Sequence, residues 1–127
     1  LVLLHPNTDL RPDRPFASLK TEAGNVMTEA SLAYENTLFV PEPEDRADPV
    51  VSPLLSPSLA GLPPTLLVTC EHDPLRDEGE AFAARLGEAG VSVTSRRVDG
   101  MIHGFLQMDG WIDAARDLRS SVAGFLG

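Results

Sequence analysis

Apolar residues are laid along this chain in two ways, as short continuous runs and as stripes with three- and four-residue steps. Leu1 to Leu4 is a run closed by His5-Pro6, the pattern of a short strand buried on both faces. Thr65 to Cys70 is a second run of the same kind. Val91, Val93 and Ser95 alternate with polar neighbours up to Val98, which predicts a third strand. The stripes predict three helices. Val26, Ala30, Ala33, Tyr34, Thr37 and Leu38 form the first, with Thr28 or Asn25 as its cap and Pro41 and Pro43 as its stop. Ala81, Phe82, Leu86 and Ala89 give the buried face of the second. Asp77 with Glu80 fits a capping box there, and Gly90 is placed to end the helix in a left-handed conformation. Gly79 and Gly87 work against this helix, each by ~1 kcal/mol relative to alanine. Trp111, Ala115, Leu118, Val122 and Phe125, widened by Ile112 and Leu126, mark the third.

Breaker residues set the connections. Asn7 to Pro15 reads as a loop over the end of the first strand, and Glu42 to Asp48 as an acidic, proline-flanked loop. From Asp48 to Pro64, five prolines (Pro49, Pro53, Pro57, Pro63 and Pro64) exclude a helix or an interior strand. A connection of that length often serves as a lid or pocket wall. Strand and helix alternate three times, which predicts an α/β fold: a three-layer α/β/α arrangement with three parallel strands and right-handed crossovers.

Composition narrows the function classes. At 127 residues and 43% hydrophobic content, the chain is long enough for one domain with a modest core. A net charge of −9, with ten Lys plus Arg scattered along the chain, argues against a nucleic-acid partner or an anionic membrane surface. No apolar run approaches the ~18 residues of a membrane span. Leu1 to Leu4 is too short for a signal sequence, so a cytoplasmic location is expected. The single cysteine excludes an internal disulfide and a thiolate zinc site; Cys70, inside an apolar run, reads as a small buried hydrophobe. The chain starts at a leucine already in strand pattern, which points to a fragment.

Two polar residues stand just past strand ends. Asp73 follows the second strand in Glu71-His72-Asp73-Pro74, and His103 follows the third in Asp99-Gly100-Met101-Ile102-His103-Gly104, with Asp99-Gly100 read as a turn. Taken singly, Asp73 is a turn former or cap and His103 a loop residue. Together they lie at the edge of an open α/β sheet where ligands bind, in the order acid then histidine. A carboxylate there can accept the Nδ1 proton of the histidine and leave the other nitrogen as general base. His5 shares this edge; it can line a pocket, but a structural or solvated histidine is the favoured reading. A metal site built from His5, His72, Asp73 and His103 lacks any closely spaced ligand pair. A phosphate-accepting receiver domain would need an acidic cluster and a later lysine, and the sole lysine is Lys20.

Asp73-Pro74-Leu75-Arg76-Asp77-Glu78-Gly79, the helix end Leu86 to Val91, and Gly100 to Phe105 resemble the C-terminal part of the hormone-sensitive-lipase-like α/β-hydrolases. Asp48 to Leu55 and Gly61-Leu62-Pro63-Pro64 resemble that family's approach to its acid-bearing strand. The likeness is close from Asp48 to Phe105 and looser in Leu1 to Pro6 and the last helix. It implies an esterase acting on an acyl ester without metal or organic cofactor, with Asp73 as the triad acid and His103 as the triad base. The family's nucleophile sits in a G-x-S-x-G turn, where backbone strain exposes the hydroxyl. No such turn, and no glycine-rich oxyanion loop of the H-G-G-G kind, occurs in these residues. Ser18, Ser31, Ser52, Ser56 and Ser58 precede Asp73, but none lies in a strand-to-helix glycine turn, and they read as loop or cap serines.

Residues 1–127 are therefore expected to be the C-terminal portion of one α/β-hydrolase domain, with the nucleophile-bearing N-terminal half outside the chain. The Leu1–Leu4 strand is expected to pair with that half or with a second copy. Two readings of function stand side by side. One is a carboxylic-ester hydrolase to which this chain supplies only the acid and the base. The other is a truncated, non-catalytic remnant or an interaction module.

Overall fold

Thr65–His72 is the strand on which the rest of the chain packs. In a computed structural model describing residues 1–127, this strand (β2) is flanked by Val2–Leu4 (β1) on one side and Val93–Ile102 (β3) on the other. All three are parallel, with Leu3 opposite Leu67 and Leu67 opposite Ser95. The first six residues of β2 are buried. Its side chains alternate between two faces, and both faces are covered, so both parities of the sequence are apolar.

The helices are α1 (Ser18–Thr21), α2 (Glu29–Phe39), α3 (Arg76–Glu88) and α4 (Asp113–Leu126). On one face Leu67 packs with Phe82, Ala83 and Leu86 of α3 and with Leu54, Leu59 and Val91. On the other, Leu66, Val68 and Cys70 pack with Ala115 and Leu118 of α4, with Val98 and with Phe105. Full burial of a side chain such as Phe105 or Leu118 contributes about 1.5–3 kcal/mol. The predicted three-layer α/β/α arrangement with three parallel strands is what forms. A smaller cluster of Leu19, Met27, Leu32 and Leu75 ties α1 and α2 to the start of α3. No helix is long and apolar enough to cross a membrane.

Several local expectations are corrected. The stripe read as the inner face of α2 points outward: Val26, Tyr34 and Leu38 are 63–65% exposed, whereas Leu32 and Asn36 face in. Asn36 is buried because its side chain is hydrogen-bonded, accepting from Asn7 Nδ2 at 3.1 Å and donating to Leu10 O at 3.5 Å. The N-terminus of α2 does use Thr28, which forms a reciprocal capping box with Ser31. At α3 the expected Asp77–Glu80 box is absent. Ser18 Oγ instead accepts the Asp77 N–H at 3.1 Å, while Glu80 pairs with Arg97 at 2.6 and 2.7 Å. Tertiary partners have displaced the local cap. Glu42 to Asp48 holds a 3₁₀ turn over Pro43–Ala47, and Trp111, expected on the buried side of α4, is 92% exposed. β1 is half-buried rather than fully covered, because it lies at the sheet edge.

Asp99-Gly100 does not end the third strand. β3 runs on to Ile102 through a bulge, in which the step from Cys70 to His72 of β2 faces the longer step from Val98 to Ile102. Gly100 takes φ 70° there, and its N–H donates to Glu71 Oε2 at 2.6 Å. Bulges re-aim the residues that follow them, and the residue delivered by this one is His103.

Gly79 is buried where α3 crosses β2; a Cβ on it would stand 3.0 Å from Thr69 Cγ2, whereas nothing lies within 4 Å of one on Gly87. Gly79→Ala is expected to destabilise the fold by about 1 kcal/mol, since overpacking outweighs the gain in helix propensity. Gly87→Ala should stabilise it by about 0.5–1 kcal/mol. Urea unfolding midpoints of the two variants test this, and a shift of both in the same direction would contradict it.

Candidate functional site

Three strands end at one sheet edge, and each is followed there by a polar residue. Asp73 leaves β2 into the tight turn Asp73-Pro74-Leu75 that opens α3. Its carboxylate is almost fully buried, with Oδ1 accepting the Leu75 N–H at 2.8 Å. The turn thereby fixes the carboxylate, and Oδ2 is left for His103, whose Nδ1 lies 2.9 Å away. A carboxylate only accepts, so the proton of that bond resides on Nδ1. His103 is followed by Gly104 at φ 75°, a conformation suited to glycine, which starts the 3₁₀ turn Phe105–Met108. The His103 side chain keeps 27% exposure, and its Nε2 makes no hydrogen bond within the chain. The arrangement can hold a histidine in one tautomer, with its second nitrogen accessible for proton transfer.

His5, for which the sequence favours a structural or solvated histidine, is buried beside His103. It is 8% exposed, its ring centroid lies 5.3 Å from that of His103 and 5.5 Å from that of Phe105, and its Nδ1 accepts the Gly104 N–H at 3.3 Å. Its Nε2 is buried without a partner, an arrangement that costs about 1–3 kcal/mol. Burial, reinforced by the nearby His103, lowers its pKa below the usual histidine value. Only its place directly after a strand signalled this in the sequence.

The remaining candidates fall elsewhere. His72 is exposed and turned toward Glu22, 3.2 Å from Oε2, away from Asp73. Cys70 is buried, and burial, aided by the charge of Asp73, pushes its thiol up to about 12, so it is no thiolate at neutral pH. Ser18 Oγ donates to Pro74 O at 2.8 Å, and Ser52 Oγ accepts the Leu10 N–H at 2.8 Å while donating to Arg46 O at 2.5 Å. Ser31 is committed to its capping box. Ser56 bonds Ser58 O at 2.8 Å. A cavity of about 300 Å³ lies between Leu10–Arg14 and α2; no residue of Asp48–Pro64, the connection expected as a lid or pocket wall, lines it, and neither does Asp73 or His103.

Behind the site, Glu78 pins the loop that follows His5. Its Oε1 accepts the N–H groups of Thr8 (2.7 Å) and Asp9 (3.3 Å), and its Oε2 faces Arg14 Nη1 at 3.1 Å. Arg14 in turn donates to Asn7 Oδ1 at 2.9 Å and to the Asp9 carbonyl. The sequence gives no sign of this, because an acid on a helix ordinarily reads as solvated.

A family model described as the alpha/beta hydrolase fold matches residues 1–107. An arylesterase of Saccharolobus solfataricus is 45% identical over 73 residues, which make up 58% of this chain and 24% of that protein. A solved hyperthermophilic esterase from the archaeon Pyrobaculum calidifontis superposes with a TM-score of 0.91 at 33% identity, over 97% of this chain and 41% of its own. Brefeldin A esterase, a bacterial homologue of human hormone-sensitive lipase, does so with a TM-score of 0.89 at 32% identity, over 98% of this chain and 37% of its own. The chain spans 24% to 36% of the length of the first three curated relatives it matches.

Burial raises the Glu78 carboxyl from its ordinary 4.5 to about 7, against the opposing pull of Arg14 and the two backbone donors. Between those values the folded state holds a proton that the unfolded state has released, so this group's contribution to stability falls as pH rises from about 4.5 to about 7. His5 acts in the opposite sense, because its lowered pKa loses stability as pH falls below 6.5. The difference between wild type and Glu78→Gln isolates the first effect. Urea midpoints measured across this window should drop with pH in the wild type relative to the variant, and parallel curves would contradict the assignment.

Proposed function

This chain belongs to the α/β-hydrolase fold family, and from that footing we propose that it carries the acid and the base of a Ser-His-Asp carboxylic-ester hydrolase, Asp73 and His103. The observation that carries the proposal is the 2.9 Å contact between His103 Nδ1 and a buried Asp73 Oδ2, with Nε2 unpaired. In this reading His103 Nε2 takes the proton of an attacking serine and later returns it to the departing alcohol oxygen. Asp73 fixes the tautomer and stabilises the imidazolium formed in between. The ester carbonyl carbon gains the serine oxygen and loses the alcohol, which leaves with the proton from His103. Water, deprotonated by His103, then attacks the acyl carbon. The bond to the serine oxygen breaks, the carboxylic acid departs and His103 returns the proton to the serine.

Residues 1–127 act in this account as the C-terminal portion of one hydrolase domain, and the nucleophile and the oxyanion donors come from chain outside them. The open edge of β1 takes a further strand, either from that chain or from a second copy. Acyl esters as substrates and a cytoplasmic location belong to the same proposal.

In the protein that carries this chain together with its nucleophile, Asp73→Asn should lower kcat for a p-nitrophenyl ester by about 10³–10⁴-fold, and His103→Ala should have an effect of similar size. Residues 1–127 alone should hydrolyse the ester no faster than their own His103→Ala variant. Activity of the isolated chain that His103→Ala abolishes, with a serine phosphonate bound covalently, would place the nucleophile inside these residues and overturn the division of labour. Sedimentation of the isolated chain should show self-association through the β1 edge; a monodisperse, cooperatively unfolding monomer would contradict that part.

A further inference from the structure

The acid–base reading uses Asp73 after β2 and His103 after β3, and leaves His5, after β1, without a role. The His5 backbone N–H donates to Val68 O at 2.9 Å, continuing the β1–β2 ladder, and the chain then turns at φ 50° into Pro6. A positive φ is uncommon for any residue but glycine, even for histidine, which adopts it more often than most, and a residue before proline is normally extended, so the surroundings hold it. Its result is an imidazole that reaches from β1, past the end of β2, to the segment following β3. There it meets three consecutive residues: edge-on to the His103 ring at 5.3 Å, bonded to the Gly104 N–H at 3.3 Å, and tilted against Phe105 at 5.5 Å.

We propose that His5 is a positioning residue: by holding the Gly104 amide, its Nδ1 fixes the turn that aims the His103 ring, keeping Nδ1 of His103 on Asp73 and its Nε2 unpaired. The inference rests on the reading of Asp73 and His103 as the acid–base pair. A ring that accepts at Nδ1 carries its neutral proton on Nε2. Burial and the neighbouring His103 both disfavour a charge on His5, so it places no second cation beside an imidazolium formed at His103. Gly104 needs this external hold because its own φ of 75° is only one of the conformations open to a glycine.

The test is the exchange rate with water of the His103 Nδ1 proton, read by NMR in the protein that carries this chain. His5→Phe keeps an aromatic ring but removes the acceptor. His5→Asn puts Oδ1 where Nδ1 stands and tolerates the left-handed backbone. His5→Phe is expected to speed exchange by at least about tenfold, and His5→Asn to keep it within about threefold of wild type. Unchanged exchange in a folded His5→Phe protein overturns the proposal. Equal acceleration in both variants also overturns it, since ring packing alone then explains His5. If His5→Phe does not fold, His5→Asn decides: a retained proton supports the role and a lost one overturns it. Absence of a slowed Nδ1 proton in the wild type overturns the Asp73–His103 pairing itself, and this inference falls with it.

Discussion

The stretch of a strand that is buried on both faces cannot carry charge, so charge enters β2 only past Cys70, and that constraint organises the molecule. Six successive buried residues leave Asp73 as the first buried carboxylate after the strand, in a turn whose own N–H satisfies one of its oxygens. Parallel neighbours must then finish at the same edge, which puts His5 and His103 on either side of that turn. Moving a carboxylate out of water is unfavourable unless it is hydrogen-bonded and paired. Asp73 meets this condition with one backbone donor and one imidazole, so the pairing on which the proposed chemistry rests also makes the burial of the acid tolerable.

The other interactions around the edge restrict what these groups can do. The β3 bulge and its Glu71–Gly100 bond determine where the strand delivers His103. Glu78 and Arg14 secure the loop after His5 from beneath. Gly79 lets α3 sit close enough to β2 for Pro6 and Thr69 to pack against it. Each of these residues lies outside the Asp73–His103 pair, yet each bears on the position of a strand end. Identities of 32% to 45% to esterases, together with TM-scores near 0.9, fit a scaffold whose shape is kept while the chain spans a fraction of the relatives' length.

Much of this was legible in the sequence where one physical signal dominated. Thr65 to Cys70 announced a fully covered strand because both parities are apolar, and Gly90 ended α3 at φ 81° as its position implied. Asp73 and His103 were legible because each follows a strand. What escaped depended on partners distant in the chain. Asn36 faces the interior on the strength of bonds to Asn7 and Leu10, which a hydrophobic stripe cannot register. Asp77 and Glu80 abandon a local cap for Ser18 and Arg97. His5 is a lone histidine before a proline, and nothing in that dipeptide shows a left-handed turn or a ring packed against His103.

The central claim is that Asp73 fixes the proton of His103 on Nδ1. The most direct measurement is the ¹⁵N spectrum of the imidazoles at a pH where both rings are neutral, which reports the tautomer of each. The account predicts opposite tautomers: Nδ1–H for His103, bonded to Asp73, and Nε2–H for His5, whose Nδ1 receives the Gly104 amide. An Nε2–H tautomer at His103 would contradict it, because the nitrogen required to accept a proton would already be occupied.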